Sequence, residues 1–326
     1  MPKLITIKPE SQGLRLDKFL NEKIKKLSRS QIKKLILSGQ VLINDKIVSP
    51  HYFLKAGEVV SVETRDKKQK ISTKNSDLQP TPYSLLPNIL FEDKDFLVLE
   101  KPAGLLVHPT EKGETETLVS WLLKKYPAIK TVGENQYRAG IIHRLDRDVS
   151  GVMVIAKTPA AFDHLKNQFK KRVVKKEYLA IVYGQMTELK GEIDLPIGRN
   201  KDGQFVAHPR LGEEKFQASD KIARTKYEVI EYLKDYSLLR VNILTGRTHQ
   251  IRVHLSAIGH PIIGDQTYKP KRKFLNFLRR RIKVVSPGRI MLHSVKIGFY
   301  DLENQWREFS SPLPDLITNF INENKK

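Results

Sequence analysis

Residues 140–151 read Gly-Ile-Ile-His-Arg-Leu-Asp-Arg-Asp-Val-Ser-Gly. The apolar pair Ile141 and Ile142 opens the stretch, and the apolar run Val152 to Ala156 follows it. Two apolar runs joined by a polar segment predict strand, loop, strand. Such a loop leaves the core and returns to it, which mounts its side chains on a rigid support. Asp146 stands between Arg144 and Arg147, and arginines beside a carboxylate favour its charged form. On composition alone the same Asp also suits a surface ion pair, because structural ion pairs perturb charges without any catalysis.

The 326 residues suffice for two domains of ordinary size. With 40% hydrophobic and 29% charged residues, the chain can build a packed core and is not a disordered polyelectrolyte. Its 58 Lys and Arg against 36 Asp and Glu leave a formal charge of +22. That surplus points to a polyanionic partner, with nucleic acid first and an anionic membrane surface second. No apolar run approaches the roughly 20 residues of a membrane span. The start, Met-Pro-Lys-Leu-Ile-Thr-Ile, shows no signal peptide pattern. The absence of cysteine excludes disulfides, thiolate catalysis and cysteine-ligated zinc, and fits a cytoplasmic location.

Three regions follow from the patterning: a small basic domain over 1–64, a polar linker over 65–85 and a larger domain over 86–326. In the first, Leu16, Phe19, Leu20, Ile24 and Leu27 fall at helical spacing, and Ile32, Leu35 and Ile36 mark a second helix. Ser28 or Ser30 can cap that helix and Gly39 can end it. A strand, an Asn-Asp turn and a strand over Val41–Val48, then a strand over Glu58–Val62, complete it. Arg15, Lys18, Lys25, Lys26, Arg29, Lys33 and Lys34 crowd its polar helix faces. They are candidate RNA-phosphate ligands, although a charge run is most often a solvated face.

In the larger domain, strands are predicted at Ile89–Phe91, Phe96–Leu99, Lys175–Gly184, Ala223–Tyr232, Tyr236–Leu244, Met291–Tyr300 and Gln305–Phe309. Residues 191–215 read as hairpin and loop. Helices are predicted at Thr117–Tyr126, Pro159–Phe169, after Gly246 and at Pro314–Asn322. Residues 259–268 read as a plain loop. Lys269–Lys283 forms a second basic concentration. His249 and His254 are five apart, which does not match the i, i+4 pair of a helical zinc motif, and no metal site is predicted.

His-Arg-Leu-Asp-Arg-Asp-Val-Ser-Gly resembles the central motif of the RluA-like pseudouridine synthases, with Val149 where that family usually carries Thr. Glu-Lys-Pro-Ala-Gly, from Glu100, resembles its Asn-Lys-Pro-Xaa-Gly segment. Leu-Thr-Gly-Arg-Thr-His-Gln-Ile-Arg-Val-His-Leu, from Leu244, resembles its third motif. The pattern "Arg-Leu-Asp-Lys-Phe-Leu … Ser-Arg-Ser-Gln-Ile … Ser-Gly-Gln-Val-Leu-Ile-Asn" is similar to a small RNA-binding domain first seen in a ribosomal small-subunit protein.

The resemblance implies an α+β fold whose larger domain is a mainly antiparallel mixed sheet. It implies that Asp146 is the catalytic carboxylate, that Tyr178 packs against the target base and serves in proton transfer, and that Arg252 faces Asp146. It also implies that Arg144 helps hold or replace a flipped base. The reaction is an isomerisation in which no atoms enter or leave, so no cofactor is implied. The Gly-Glu-Ile-Asp-Leu-Pro-Ile-Gly-Arg stretch looks more like members acting on large-subunit ribosomal RNA, with transfer RNA as an alternative and a monomer as the default state. Two other functions compete. One is a non-catalytic RNA-binding assembly protein. The other is a glycosidase or nuclease, for which paired carboxylates or a metal cluster would be needed.

Overall fold

The computed structural model describes residues 3–24, 32, 35–36, 40–44, 46–48, 52–62, 86–109, 114–200, 202–208, 219–270, 285 and 287–325. They belong to two compact units, Met1–Ser84 and Leu85–Lys326.

The smaller unit contains β1 (Lys3–Thr6), α1 (Leu16–Lys23), β2 (Val41–Ile43), β3 (Lys46–Ile47) and β4 (Val59–Val62). Its strands pair antiparallel in the order β1-β4-β2-β3. The helical spacing of Leu16, Phe19 and Leu20 puts all three into one core with Ile32, Ile36, Val41, Ile43 and Val60. Each such side chain, fully buried, contributes about 1.5–3 kcal/mol. Asn44 takes the left-handed conformation (φ 47°) in the β2–β3 turn, where Asn is tolerated better than most residues. Its Oδ1 accepts from the Val59 N–H at 2.8 Å. The first strand, β1, was not predicted. A four-residue edge strand, Lys-Leu-Ile-Thr, is too short to show a period.

Lys18 is exposed on α1. Arg15, partly exposed, donates to the buried Asp17 through both Nε (3.0 Å) and Nη2 (2.9 Å). Lys25, Lys26, Arg29, Lys33 and Lys34 lie outside the described residues, as do Leu27, Ser28, Ser30, Gly39, the linker at 65–85 and most of the second basic concentration.

The larger unit contains β5 (Asn88–Glu92), β6 (Phe96–Lys101), α2 (Leu118–Lys125), β7 (Ser150–Ala156), α3 (Pro159–Lys171), β8 (Lys175–Tyr183), β9 (Lys190–Asp194), β10 (Ile197–Arg199), β11 (Phe205–Ala207), β12 (Arg224–Tyr232), β13 (Tyr236–Ile243), α4 (Gln250–Ala257), β14 (Leu292–Tyr300), β15 (Trp306–Ser310) and α5 (Asp315–Glu323). Nine strands form one sheet in the order β5-β6-β7-β14-β8-β13-β12-β9, with β15 also on β14. Among the described residues only β7 and β14 pair in parallel. The expected mainly antiparallel mixed sheet is what the fold contains. β10 and β11 make a separate hairpin.

β6 and β7 explain why a continuous apolar run reads as a strand. Leu97, Leu99, Met153 and Ile155 enter one core, whereas Phe96, Val98, Val152 and Val154 enter another with Phe299 and Leu165 of α3. A strand covered on both faces has no polar side to show. β7 can lie against β14 because Gly151 has φ +122°, and a Cβ there would sit 2.2 Å from the Ser294 carbonyl oxygen. The strand predicted before the central loop is not formed. Ile141 makes only an isolated bridge to Ile155. The segment instead crosses the end of β7, fixed by Ala156 N–H donating to Gly140 O (3.0 Å) and Gly140 N–H donating to Val132 O (2.8 Å).

Candidate active site

The loop that precedes β7 is clamped from below by Lys101, the last residue of β6. Its Nζ donates to Pro102 O (2.8 Å), Leu105 O (2.9 Å) and Arg147 O (3.0 Å). Lys101 is completely buried. Burial pulls its ammonium down to about 7, against the upward pull of Asp148 and Asp146. Three carbonyl acceptors around one amine match the three donors of the ammonium form. Gly104 N–H also donates to Arg147 O (2.8 Å). The Lys-Pro-Ala-Gly segment therefore fixes the turn that carries Asp146, with φ +92° at Gly104.

Two histidines, the half-buried His143 and the buried His293, fix the rest of the loop. His143 Nε2 accepts from the Val154 N–H (3.1 Å), and its ring stacks on Phe169 at 4.9 Å. His293 Nδ1 and Ser150 Oγ share a hydrogen bond of 2.6 Å, and His293 Nε2 meets Ser311 Oγ at 3.1 Å. Burial pushes His143 down to about 3 and His293 down to about 4, the latter helped by Arg289. Because these folded-state values are depressed, the unfolded chain binds the protons first. Stability is then complete above the unfolded value of about 6.5 and is lost as pH falls from there towards the folded values, with a slope of up to about 1.4 kcal/mol per pH unit for each histidine. Urea unfolding at pH 7 and pH 5 is expected to show a lower midpoint at pH 5 with proton uptake on unfolding. Equal midpoints would contradict this.

The neighbours of Asp146 in sequence are not its partners in space. Arg144 is exposed and its Nη1 lies 3.4 Å from His108 Nε2. Arg147 contributes its carbonyl. The cation on Asp146 is Arg252 of α4, which donates from Nη1 to Asp146 Oδ2 at 3.1 Å. Arg252 is itself gripped by Asp265, from Nε at 2.7 Å and Nη2 at 2.9 Å, and Nη2 also reaches Thr267 Oγ1 at 3.1 Å. Burial works against the Arg252 charge, but Asp265 and Asp146 outweigh it and raise its pKa further. Burial also opposes the Asp265 charge. Arg252 and the backbone N–H groups of Tyr268 and Thr267 prevail and hold that carboxyl below the usual range.

Tyr178 of β8 is 5% exposed. Burial first, and the charge of Asp146 second, push its hydroxyl well above the ordinary phenol value, while a hydrogen bond with Ser294 acts the other way. It is therefore a neutral phenol at the site.

These groups line an open cleft of about 930 Å³ whose walls carry Lys170, Arg172, Lys175, Lys176, Lys226 and Arg247, with Phe169 and Leu244 between them. Such an arrangement holds a phosphate backbone against one carboxylate. The structure thus brings Asp146, Arg252, Tyr178 and Arg144 together. Arg15 and Lys18 belong to the smaller unit. Sequence reasoning gave no site role to Lys101, Asp265 or Tyr268, and weighed His249 only as a metal ligand. Asp265 has a local signal in hindsight: it follows Gly264, whose φ of +78° and 1.9 Å Cβ approach to Arg289 O admit no side chain, so the loop read as plain is tightly specified. His254 contacts Thr225 Oγ1 (2.9 Å) and Leu195 O (2.8 Å). No cluster of metal-ligand type occurs among the described residues.

An α+β mixed sheet with a basic cleft around a single carboxylate suits a polyanionic substrate, and comparison with known proteins gives its class. The family model for RNA pseudouridylate synthase matches residues 95–257, and that for the S4 domain matches 14–60. The uncharacterized RNA pseudouridine synthase YlyB of Bacillus subtilis is 34% identical over 99% of this chain and 98% of its own length. The ribosomal large subunit pseudouridine synthase D of Haemophilus influenzae is 36% identical over 97% and 93%. The solved human RNA pseudouridylate synthase domain containing 1 superposes with a TM-score of 0.53 and 29% identity, over 71% of this chain and 86% of that one. The chain belongs to the RNA pseudouridylate synthase family, in its RluA-like branch, and is an RNA pseudouridine synthase carrying an S4 domain.

Proposed function

We propose that this protein isomerises specific uridines of large-subunit ribosomal RNA, using Asp146 and no cofactor, as a cytoplasmic monomer. The reading rests on one observation above others: a single carboxylate at the floor of a basic cleft, oriented by a buried arginine that a second carboxylate locks in place. The target uridine first leaves its stack, at a cost of a few kcal/mol. Breaking the N1–C1′ bond leaves positive charge on the sugar, which Asp146 stabilises or captures. Tyr178 packs against the base, Arg144 fills or holds the space it vacates, and the base turns and rejoins through C5. The product is an isomer of the substrate, with only a proton exchanged with water, so nothing in the reaction calls for a cofactor. The large-subunit target is supported by relatives whose names state that substrate.

The test is carbodiimide mapping of pseudouridine in all cellular RNA, with and without this protein. Sites lost from large-subunit RNA and restored by the wild-type chain are expected. Sites lost only from transfer RNA would move the substrate, and no lost site would overturn the reading.

A further inference from the structure

His249 has a backbone conformation that needs explaining. It sits at φ 56°, ψ 19°, just before α4. That left-handed region is uncommon for a non-glycine residue and, at a functional site, marks a side chain aimed for a purpose. Here it aims the imidazole into the cleft, where it is partly buried and faces Asp146. Nδ1 lies 3.0 Å from the Tyr268 hydroxyl. The edges of Tyr268 (5.7 Å) and Phe205 (5.9 Å) hold the ring plane. Nε2 lies 3.9 Å from Asp146 Oδ2. That gap is too long for a hydrogen bond. A base role uses the tautomer in which Nδ1–H donates to the Tyr268 hydroxyl and Nε2 carries the lone pair.

The isomerisation needs such a group. Once C5 of the base has bonded to C1′, C5 still carries its hydrogen. Its proton must leave, with the C–H electron pair restoring the ring, and N1 must gain a proton. Asp146 is committed to the sugar and to Arg252, and Tyr178 is a protonated phenol. Resting on the function proposed above, we propose that His249 is a catalytic residue that accepts the C5 proton at Nε2 and passes it to N1 or to water. The groups facing it are Asp146, Arg252, Asp265, Arg144 and Tyr268. Burial is the largest influence on the imidazole and holds its pKa below the ordinary value, with Asp146 pulling upward. The neutral imidazole is thus the resting form.

The experiment compares wild type, His249→Asn and Tyr268→Phe on RNA bearing tritium or deuterium at C5 of uridine. Asn is the substitution of choice because it tolerates the left-handed backbone. Wild type must release tritium; failure to do so would sink the pseudouridine reading itself, independently of His249. His249→Asn is expected to be slower by about 10²-fold or more in single turnover. It should also show a C5 deuterium isotope effect larger than that of wild type, because proton removal has become limiting, and added imidazole should restore part of the rate. A slower variant with an unchanged isotope effect would reduce His249 to a positioning role and overturn the inference, as would an unchanged rate. Should His249→Asn fail to fold, Tyr268→Phe decides. Loss of the Nδ1 anchor is expected to raise the isotope effect, and an unraised one overturns the proposal.

Discussion

Asp146→Asn is expected to slow single-turnover pseudouridine formation by at least about 10³-fold, while the variant folds and binds RNA at least as tightly as wild type. The rate loss corresponds to about 4 kcal/mol of transition-state stabilisation. The amide is nearly isosteric with the carboxylate, so the 3.1 Å contact with Arg252 Nη1 can survive through the amide oxygen. What disappears is the negative charge that meets the developing positive charge on the sugar. The same change removes one anionic group from a cleft whose walls are cationic, which is why polyanion affinity does not fall. Rate by pseudouridine quantification and affinity by fluorescence anisotropy are measured on one RNA. A variant that lost rate and affinity in parallel would make Asp146 a structural member of the cleft and defeat the catalytic assignment. A variant with near-normal rate would defeat it outright.

The elements that could be read from the sequence were those with a strong local period or a specific motif. β7 was legible because burial on both faces leaves an unbroken apolar run, and α3, predicted from Pro159, does begin there, with Thr158 Oγ1 accepting from the Ala161 N–H. Ile141 and Ile142 misled because an apolar pair looks alike whether it pairs along a sheet or packs across a strand end. The site divides in the same way. Asp146, Tyr178 and Arg252 came from motif resemblance. The physical logic that unites them did not: Arg252 is 106 residues from Asp146, and no local pattern announces a partner so distant. The arginines beside Asp146 offered a plausible ion pair that the loop geometry declines. Lys101 was hidden for a similar reason. Its partners are backbone carbonyls, which every sequence contains. Only its burial, together with Arg147 O brought 46 residues along the chain to within 3.0 Å, shows that it organises the loop.

The Arg252–Asp265 pair separates architecture from chemistry. Arg252→Met removes a buried cation and leaves the Asp265 side chain, 0% exposed, with the Thr267 and Tyr268 N–H groups at 2.8 and 3.0 Å as its remaining partners among the described residues. Breaking a buried pair from one side costs about 3–5 kcal/mol, because the remaining charge stays in a medium that solvates it poorly. Asp265→Leu is expected to cost less than Arg252→Met, since the guanidinium keeps Asp146 as a second carboxylate. The double variant, Arg252→Met with Asp265→Leu, carries no orphaned charge at 265 and should be more stable than Arg252→Met alone, a non-additivity of about 1–3 kcal/mol in urea unfolding. Its activity should nevertheless stay as low as that of Arg252→Met, because Asp146 has lost the donor that orients it. Stability and rate are thus expected to part company in this cycle. If activity recovered along with stability, Arg252 would serve the fold alone. If the double variant were no more stable than Arg252→Met, the carboxylate at 265 would not be the group whose burial Arg252 makes tolerable.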